Sequence, residues 1–312
     1  MNIRVEIKLR EWQNKAFNAW IDNQYNGIFS IVTGGGKTVF GIYCLAYLFK
    51  NKFIESVLII VPTKTLQDQW ASNIIQFTDL SIQSISFNKT RPRKITILTN
   101  ISAQRLPKDF FSSKLALVLD ECHRYGTDRN IAYLKHHAFS KIGLTATLER
   151  KYDDGVSRIL KPLIGDVIYD YSIKQALEDG VVEPYKMVYL RTHFNEDEEL
   201  NYLEISTRIS KISARLNSDG GTANRNGLEK TLEMLLFKRR RLVNETDQRK
   251  YVAAKIIVDN LERKKILFCE SISQAEAIQE LCKNQGLSTA VYHSDMKRSE
   301  RIAVLTDFQS NF

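Results

Sequence analysis

The stretch Ser30-Ile31-Val32-Thr33-Gly34-Gly35-Gly36-Lys37-Thr38-Val39 decides the reading of this chain. Just ahead of it and overlapping it, Gly27-Ile28-Phe29-Ser30-Ile31-Val32 is an apolar run of the length of a short buried strand. Three glycines then force a tight loop, and Lys37-Thr38-Val39-Phe40-Gly41 opens a helix. A strand that passes through a glycine loop into a helix makes a phosphate cradle. Its backbone N–H groups point inward, the helix N-terminus adds partial positive charge, the lysine reaches the β/γ-phosphates and the threonine hydroxyl binds Mg²⁺. The spacing G-x-x-x-x-G-K-[ST] is met except at its first position, where Ile31 replaces glycine. Taken alone, the stretch also reads as an ordinary glycine-rich turn before a helix.

Working outward, Leu9 to Ile21 has Trp12, Ala16, Ala19 and Trp20 at helical spacing and ends at the turn-rich Asp22-Asn23-Gln24-Tyr25-Asn26-Gly27. Val39 to Phe49 predicts a second helix, and Thr65 to Phe77 a third after Pro62. Val57–Val61, Ile95–Thr99, Leu115–Leu119 and Ile142–Ala146 are continuous apolar runs, the mark of parallel strands buried on both faces. Strands alternating with helices predict an α/β fold, a doubly wound and mostly parallel sheet that binds its ligand at the carboxyl ends of the strands.

From about Asn195 the character changes. The acidic run Glu196-Asp197-Glu198-Glu199 opens a polar, helical region to residue 250, broken at Ser218-Asp219-Gly220-Gly221-Thr222. Leu228, Leu232, Leu235 and Leu236 mark an amphipathic helix carrying Lys238-Arg239-Arg240-Arg241. The α/β pattern resumes with strands at Ile266–Cys269 and Ser288–His293 and helices at Gln274–Lys283 and Met296–Phe308. The expected division is 1–190, 191–250 and 251–312.

Composition narrows the class. At 312 residues the chain is long enough for two cores, and 43% apolar with 26% charged residues is ordinary for a globular protein. Cys44, Cys122, Cys269 and Cys282 lie far apart with no Cys-x-x-Cys pair, so neither a disulfide framework nor a zinc site is expected. Met1-Asn2-Ile3-Arg4-Val5-Glu6 alternates polar and apolar residues rather than opening a signal sequence, and nothing approaches the ~20 apolar residues of a membrane span. The expectation is a cytoplasmic chain without membrane contact. A net charge of +9 favours a polyanionic partner.

A phosphate loop needs carboxylates that hold Mg²⁺ and activate water. Asp120-Glu121-Cys122-His123 follows the Leu115–Leu119 strand, which puts both acids at the carboxyl edge of the sheet with the loop. The first acid would hold Mg²⁺ and the second would orient and deprotonate the attacking water. A helix N-cap is the alternative reading of Asp-Glu after a strand.

Gly34-Gly35-Gly36-Lys37-Thr38, Asp120-Glu121-Cys122-His123 and Thr145-Ala146-Thr147 resemble, in order and spacing, motifs I, II and III of superfamily-2 helicases and translocases. The resemblance implies two RecA-like domains, ATP and Mg²⁺ as cofactors, and nucleic acid as partner, DNA favoured over RNA. Leu9-Arg10-Glu11-Trp12-Gln13 is similar to the family's upstream element, which implies that Arg10 and Gln13 join Thr33, Gly34, Gly35, Gly36, Lys37 and Thr38 in binding nucleotide, Gln13 at the adenine. Val61-Pro62-Thr63-Lys64-Thr65-Leu66 with Gln69-Trp70 resembles motif Ia, and Thr99 to Gln104 the next backbone-contacting element. These imply nucleic-acid contacts at Pro62, Thr63, Lys64, Thr99 and Gln104. His123 would couple nucleotide state to Thr145 and Thr147. Gly143-Leu144-Thr145-Ala146-Thr147-Leu148-Glu149-Arg150 looks most like the branch of repair helicases and restriction-enzyme motor subunits, with Leu148 where that branch usually has proline.

Ile266-Leu267-Phe268-Cys269-Glu270-Ser271 resembles motif IV, and Tyr292-His293-Ser294 with Ser299-Glu300-Arg301 the element after it. Motifs V and VI, which hold the arginine finger, would lie beyond Phe312. The expectation is therefore a partial second RecA-like domain, weak hydrolysis by these residues alone, and an arginine supplied by a second polypeptide or a C-terminal half. The reading from another class is a nucleotide-gated nucleic-acid-binding module without motor activity, or a subunit of a split restriction or defence complex.

Lys89, Arg91, Arg93 and Lys94 form one basic cluster, and Lys238, Arg239, Arg240 and Arg241 another. Each reads as a solvated face or as phosphate contact; the resemblance favours contact for the second, on the helical insertion. His136, His137 and His193 have no ligand-spaced partners, and Cys122 has no dedicated base, so neither a metal site nor a nucleophilic cysteine is expected.

Overall fold

Runs of aliphatic residues too apolar to face water on either side become the strands of one parallel sheet. The computed structural model of the chain describes residues 1–2, 8–88, 93–148, 154–218, 225–262 and 264–310. Lys89, Arg91, Glu149, Arg150 and the break at 219–222, all singled out in the sequence, lie outside the described residues. The chain divides into two units, Met1–Lys186 and Met187–Phe312.

The strands of the first unit are β1 (Gly27–Ile31), β2 (Ser56–Val61), β3 (Ile85–Ser86), β4 (Ile95–Thr99), β5 (Leu115–Asp120), β6 (Ser140–Thr145) and β7 (Val167–Tyr171). Their order is β3-β4-β2-β5-β6-β1-β7, and every neighbouring pair is parallel. All residues of β1 and β5 are buried, as parallel strands covered on both faces require. The helices are α1 (Glu11–Asp22), α2 (Lys37–Lys50), α3 (Lys64–Phe77), α4 (Asn100–Ala103), α5 (Asp128–Leu134), α6 (Lys161–Ile164) and α7 (Ile173–Glu178).

Because successive side chains of a strand face opposite sides, each strand feeds two cores. Phe29, Ile31, Ile59 and Val118 pack on one side with Trp12, Trp20, Phe40, Leu45 and Trp70 from α1, α2 and α3. Ile28, Leu58, Ile60 and Leu119 pack on the other with Tyr125, Tyr133, Leu134, Ile159 and Leu160. Burying each large side chain contributes about 1.5–3 kcal/mol. Lys141 threads into this second layer, where its Nζ donates to the Leu134 and Leu163 carbonyls at 2.7 and 2.9 Å and so caps the ends of α5 and α6. Burial lowers its pKa.

The register lines up the carboxyl ends. Val61 pairs with Thr99, Ile60 with Leu119, Asp120 with Leu144, and Phe29 with Leu144. The last residues of β1, β2, β4, β5 and β6 therefore share one edge, and the glycine loop, the stretches from Pro62 and from Thr99, Asp120-Glu121 and Thr145-Ala146-Thr147 follow from it.

The second unit holds α8 (Glu196–Ser218), α9 (Arg225–Asn244), α10 (Asp247–Val258), α11 (Ile272–Lys283) and α12 (Arg298–Ser310). Ile205, Ile209 and Leu235 join α8 to α9, and Ala254, Ile278 and Cys282 join α10 to α11. The expected strands at Ile266–Cys269 and Ser288–His293 do not form: among the described residues neither pairs with a neighbour. Phe268 is 93% exposed and Ile266 69%. An apolar run becomes a strand only when other strands accept its N–H and C=O groups, and none does so here.

No helix among the described residues is long and apolar enough to cross a membrane.

Candidate nucleotide site

Between β1 and α2 the chain turns through Gly34 at φ 81° and Gly36 at φ 101°. Side-chain-bearing residues rarely adopt such angles, so glycine is required at both. Gly36 is the N-cap of α2 and has no side chain to satisfy the first-turn N–H groups, which have no partner inside the helix. That leaves a ring of donors with the positive end of a helix behind it, which suits phosphate. α1 braces the loop. Arg10 Nη1 donates to the Gly35 carbonyl at 3.3 Å, and the buried Gln13 lies across Gly36, its Nε2 3.5 Å from the Gly36 carbonyl while its Oε1 accepts from the Arg10 N–H at 2.9 Å. Thr33 and Gly34 are exposed at the loop's outer edge, and Thr38 is half-buried.

Lys37 leaves α2 and donates from Nζ to Glu121 Oε1 at 3.0 Å. Glu121 follows the last residue of β5 and holds φ 53° and ψ 49°, a left-handed conformation costly for a residue with a side chain. Strain of about 1–3 kcal/mol at such a residue persists only where its surroundings enforce it, and it concentrates at functional sites.

Asp120 is 5% exposed, and both its carboxylate oxygens accept: Oδ2 from the Trp70 indole Nε1 at 2.8 Å, Oδ1 from the Glu121 N–H at 3.1 Å. Two donors from two elements leave the carboxylate one orientation. Burial raises its pKa and the Glu121 charge pushes the same way, while the Trp70 hydrogen bond and the Lys37 charge oppose the rise. The fit to a divalent ion is chemical: hard oxygen donors at Asp120 and Thr38, beside a phosphate cradle, suit Mg²⁺, which keeps several waters and takes one or two protein carboxylates. No cluster of three or more metal-ligating acids, histidines or cysteines occurs among the described residues.

Thr145, at the end of β6, is fully buried. It donates to the Thr147 carbonyl at 2.8 Å and accepts from the Thr147 N–H at 3.2 Å. His123 Nδ1 lies 2.7 Å from the Thr145 hydroxyl, with the donor set by the imidazole tautomer. The same nitrogen lies 3.5 Å from Glu121 Oε2. Cys122 is buried against Gly143, and burial, with Glu121 and Asp120 beside it, drives its thiol far above the ordinary range. It is packing, not a nucleophile.

At the same edge, Thr63 caps α3 by accepting from the Leu66 N–H at 3.3 Å, with Thr63 and Lys64 exposed and Pro62 half-buried. Thr99 Oγ1 contacts Ser102 Oγ at 3.2 Å, and Gln104 Nε2 donates to Asn130 Oδ1 at 2.8 Å. In the second unit, Lys238 is exposed, Arg239 lies 5.9 Å over the Tyr202 ring, Arg240 pairs with Glu270, and Arg241 Nε donates to Glu245 at 3.0 Å. Three of these four basic side chains thus have partners inside their own unit. In the first cluster, Arg93 donates to the Gln83 carbonyl and Lys94 sits 5.2 Å over the Phe49 ring. Tyr125 and Asn130 are not among the site residues the sequence points to, and Trp70 enters there only through the resemblance to motif Ia; the local signal at Asn130 is a polar side chain on a helical face shared with Tyr133 and Leu134.

A parallel sheet with a glycine cradle after β1 and paired carboxylates after β5 defines a RecA-like domain. Residues 6–150 match the family model "Type III restriction enzyme, res subunit", and residues 249–312 match "Helicase conserved C-terminal domain". The DNA 3'-5' translocase XPB2 of Sulfurisphaera tokodaii is 28% identical over 201 residues, 64% of this chain and 44% of that protein. The type I restriction enzyme EcoAI endonuclease subunit of Escherichia coli is 26% identical over 302 residues, 88% of this chain and 34% of that protein. The crystal structure of the Pyrococcus furiosus Hef helicase domain superposes with a TM-score of 0.60 at 15% identity, over 100% of this chain and 86% of that one, a likeness of fold. In these two segments, 6–150 and 249–312, the chain is similar to superfamily-2 helicases and translocases, its relatives including both a DNA translocase and a restriction-enzyme subunit. It spans less than half the length of these two curated relatives.

Proposed function

We propose that this chain carries the nucleotide-driven part of a DNA helicase or translocase that hydrolyses ATP. The observation that carries the reading is the Lys37–Glu121 ion pair at the mouth of the glycine cradle, beside an Asp120 carboxylate pinned by two donors. Without nucleotide, Lys37 and Glu121 neutralise each other. The γ-phosphate competes for the Lys37 ammonium, and Glu121, once released, can orient the attacking water and accept its proton. Asp120 and Thr38 would hold Mg²⁺, which neutralises charge on the β- and γ-phosphates. Arg10 and Gln13 would hold the base side of the nucleotide against the loop, and His123 would report the state of Glu121 to Thr145 and Thr147.

Pro62, Thr63, Lys64, Thr99 and Gln104 form the proposed nucleic-acid face of the first unit, and Lys238, Arg239 and Arg240 are proposed as nucleic-acid contacts of the second unit taken by itself. The second unit is read as a helical insertion up to residue 250 followed by part of a second RecA-like domain. An arginine supplied from a second polypeptide or a C-terminal half would raise hydrolysis by on the order of 10³–10⁵. DNA as the track rests on the likeness to the DNA 3'-5' translocase of Sulfurisphaera tokodaii and on the net charge of +9.

The test is ATP turnover and mant-ATP binding by the 312-residue chain with single-stranded DNA, duplex DNA or RNA. Binding that DNA strengthens and Lys37→Ala abolishes supports the reading. Failure to bind nucleotide, or turnover indifferent to Lys37→Ala, overturns it. Nucleotide binding that changes the grip on DNA with no turnover, even with the arginine supplied, assigns the gated module instead.

A further inference from the structure

A chain of hydrogen bonds, buried from Asn130 inward, leads from the proposed nucleic-acid face to the backbone of Asp120. Gln104, which ends α4, donates from Nε2 to Asn130 Oδ1 at 2.8 Å. Asn130, 1% exposed on α5, donates from Nδ2 to the Tyr125 carbonyl and to Thr127 Oγ1, both at 3.0 Å. A backbone carbonyl can only accept, so the amide nitrogen must face Tyr125 and the amide oxygen must face Gln104. Tyr125, also 1% exposed, donates its hydroxyl to the Asp120 carbonyl at 2.8 Å, with the Ile60 carbonyl of β2 at 3.4 Å. A second tie runs parallel: Tyr133 of α5 donates to Asn100 Oδ1 of α4 at 2.8 Å.

We infer that Asn130 and Tyr125 are positioning residues that couple occupancy of the nucleic-acid face to the placement of Asp120 and Glu121. The inference rests on the proposed function. Both amide ends of Asn130 are engaged and water has no access to them, so Gln104 cannot shift alone without leaving a buried acceptor unpaired. The cheaper response is for α5 to follow, through the two ties that bind it to α4. Asn130 then carries the Tyr125 carbonyl, and Tyr125 carries the Asp120 carbonyl. The residue moved last is Glu121, held in a strained left-handed conformation that a small change at Asp120 can alter. Neither Asn130 nor Tyr125 needs to touch nucleotide or nucleic acid.

The test measures coupling. The affinity of the 312-residue chain for a fluorescein-labelled duplex with a single-stranded extension is measured by anisotropy, with and without saturating AMP-PNP and Mg²⁺, and the ratio of the two is read. Coupling of this kind is typically about 5–150-fold, and a residue within such a network changes it by roughly 2–30-fold. Tyr125→Phe, which deletes only the hydroxyl, is expected to reduce the ratio at least threefold, and Asn130→Leu to bring it close to one. Nucleotide affinity without DNA should stay within twofold, a pattern that general loss of structure does not produce. If Asn130→Leu does not fold, Tyr125→Phe decides alone. A ratio unchanged in the folded variants, or a ratio of one in the parent chain that binds both probes, overturns the relay and leaves the proposed function standing. A parent chain that binds neither probe overturns both.

Discussion

Replacing Trp70 by phenylalanine tests whether the Asp120 carboxylate is held in place from α3. The change deletes an indole N–H that donates to Asp120 Oδ2 at 2.8 Å from a side chain with no solvent exposure. A hydrogen bond to a charged group contributes about 1.5–3 kcal/mol. The smaller ring leaves a void of a few tens of Å³, which at about 24 cal/mol per Å³ costs on the order of 1 kcal/mol more. The expected loss is about 3 kcal/mol. A double-mutant cycle with Asp120→Ala separates the two parts, since in that background Trp70→Phe removes a donor with no carboxylate to meet and only the packing loss remains. The coupling energy should be about 2 kcal/mol.

The assay is urea unfolding of the four proteins at neutral pH, followed by far-UV circular dichroism. It has a pH signature. Asp120 has a folded pKa above its ordinary 3.8, so its stabilising contribution is fully present below 3.8 and is lost as the pH rises through the folded value. Deleting the Trp70 donor pushes that folded value higher still. Below it the carboxyl is neutral and the missing hydrogen bond is weaker, so the cost of Trp70→Phe should shrink as the pH falls. A coupling energy below about 0.5 kcal/mol, or a cost independent of pH, refutes the assignment of Trp70 as the residue that orients Asp120.

Glu121→Gln removes the charge that holds Lys37 in the nucleotide-free state; the pair is partly shielded, so roughly 1 kcal/mol of competition with phosphate should vanish. Mant-ATP should then bind about fivefold more tightly while turnover falls, and unchanged affinity would show that Lys37 was never withheld by Glu121. Cys44, Cys122 and Cys282 are at most 1% exposed, with Cys269 half-buried, so Ellman's reagent should modify Cys269 first in the native chain and the other three on unfolding. Rapid modification of Cys122 in folded protein would contradict the packing of motif II against Gly143.

The central strands and the candidate site were legible because their information is local. β1, the glycine loop and α2 sit within one short stretch, and the angles at Gly34 and Gly36 are ones glycine alone adopts cheaply. β2, β4 and β5 are continuous apolar runs that only a doubly covered sheet accommodates. Asp120, Glu121, His123 and Thr145 fall at or just past the ends of such runs and Lys37 just past the glycine loop that follows β1, so placing the runs in one parallel sheet brings them to one edge.

What pairing decides was not legible. β7 mixes Tyr169 and Asp170 with apolar residues and is a strand because β1 accepts it, Ile28 standing beside Val167. β3 has two residues and no periodicity to read. Ile266–Cys269 has the composition of a strand and, lacking neighbours among the described residues, is not one. The same limit applies at the site. Tyr125 and Asn130 read as ordinary residues and Trp70 only as part of the stretch resembling motif Ia, because the role proposed for each lies in the direction of one N–H or O–H. By itself the sequence determined the chemistry, a cradle, a lysine and two carboxylates on a parallel sheet. The tertiary structure alone decided how that chemistry is held, because a hydrogen bond such as Trp70 to Asp120 joins residues fifty positions apart and exists only once α3 packs on the sheet.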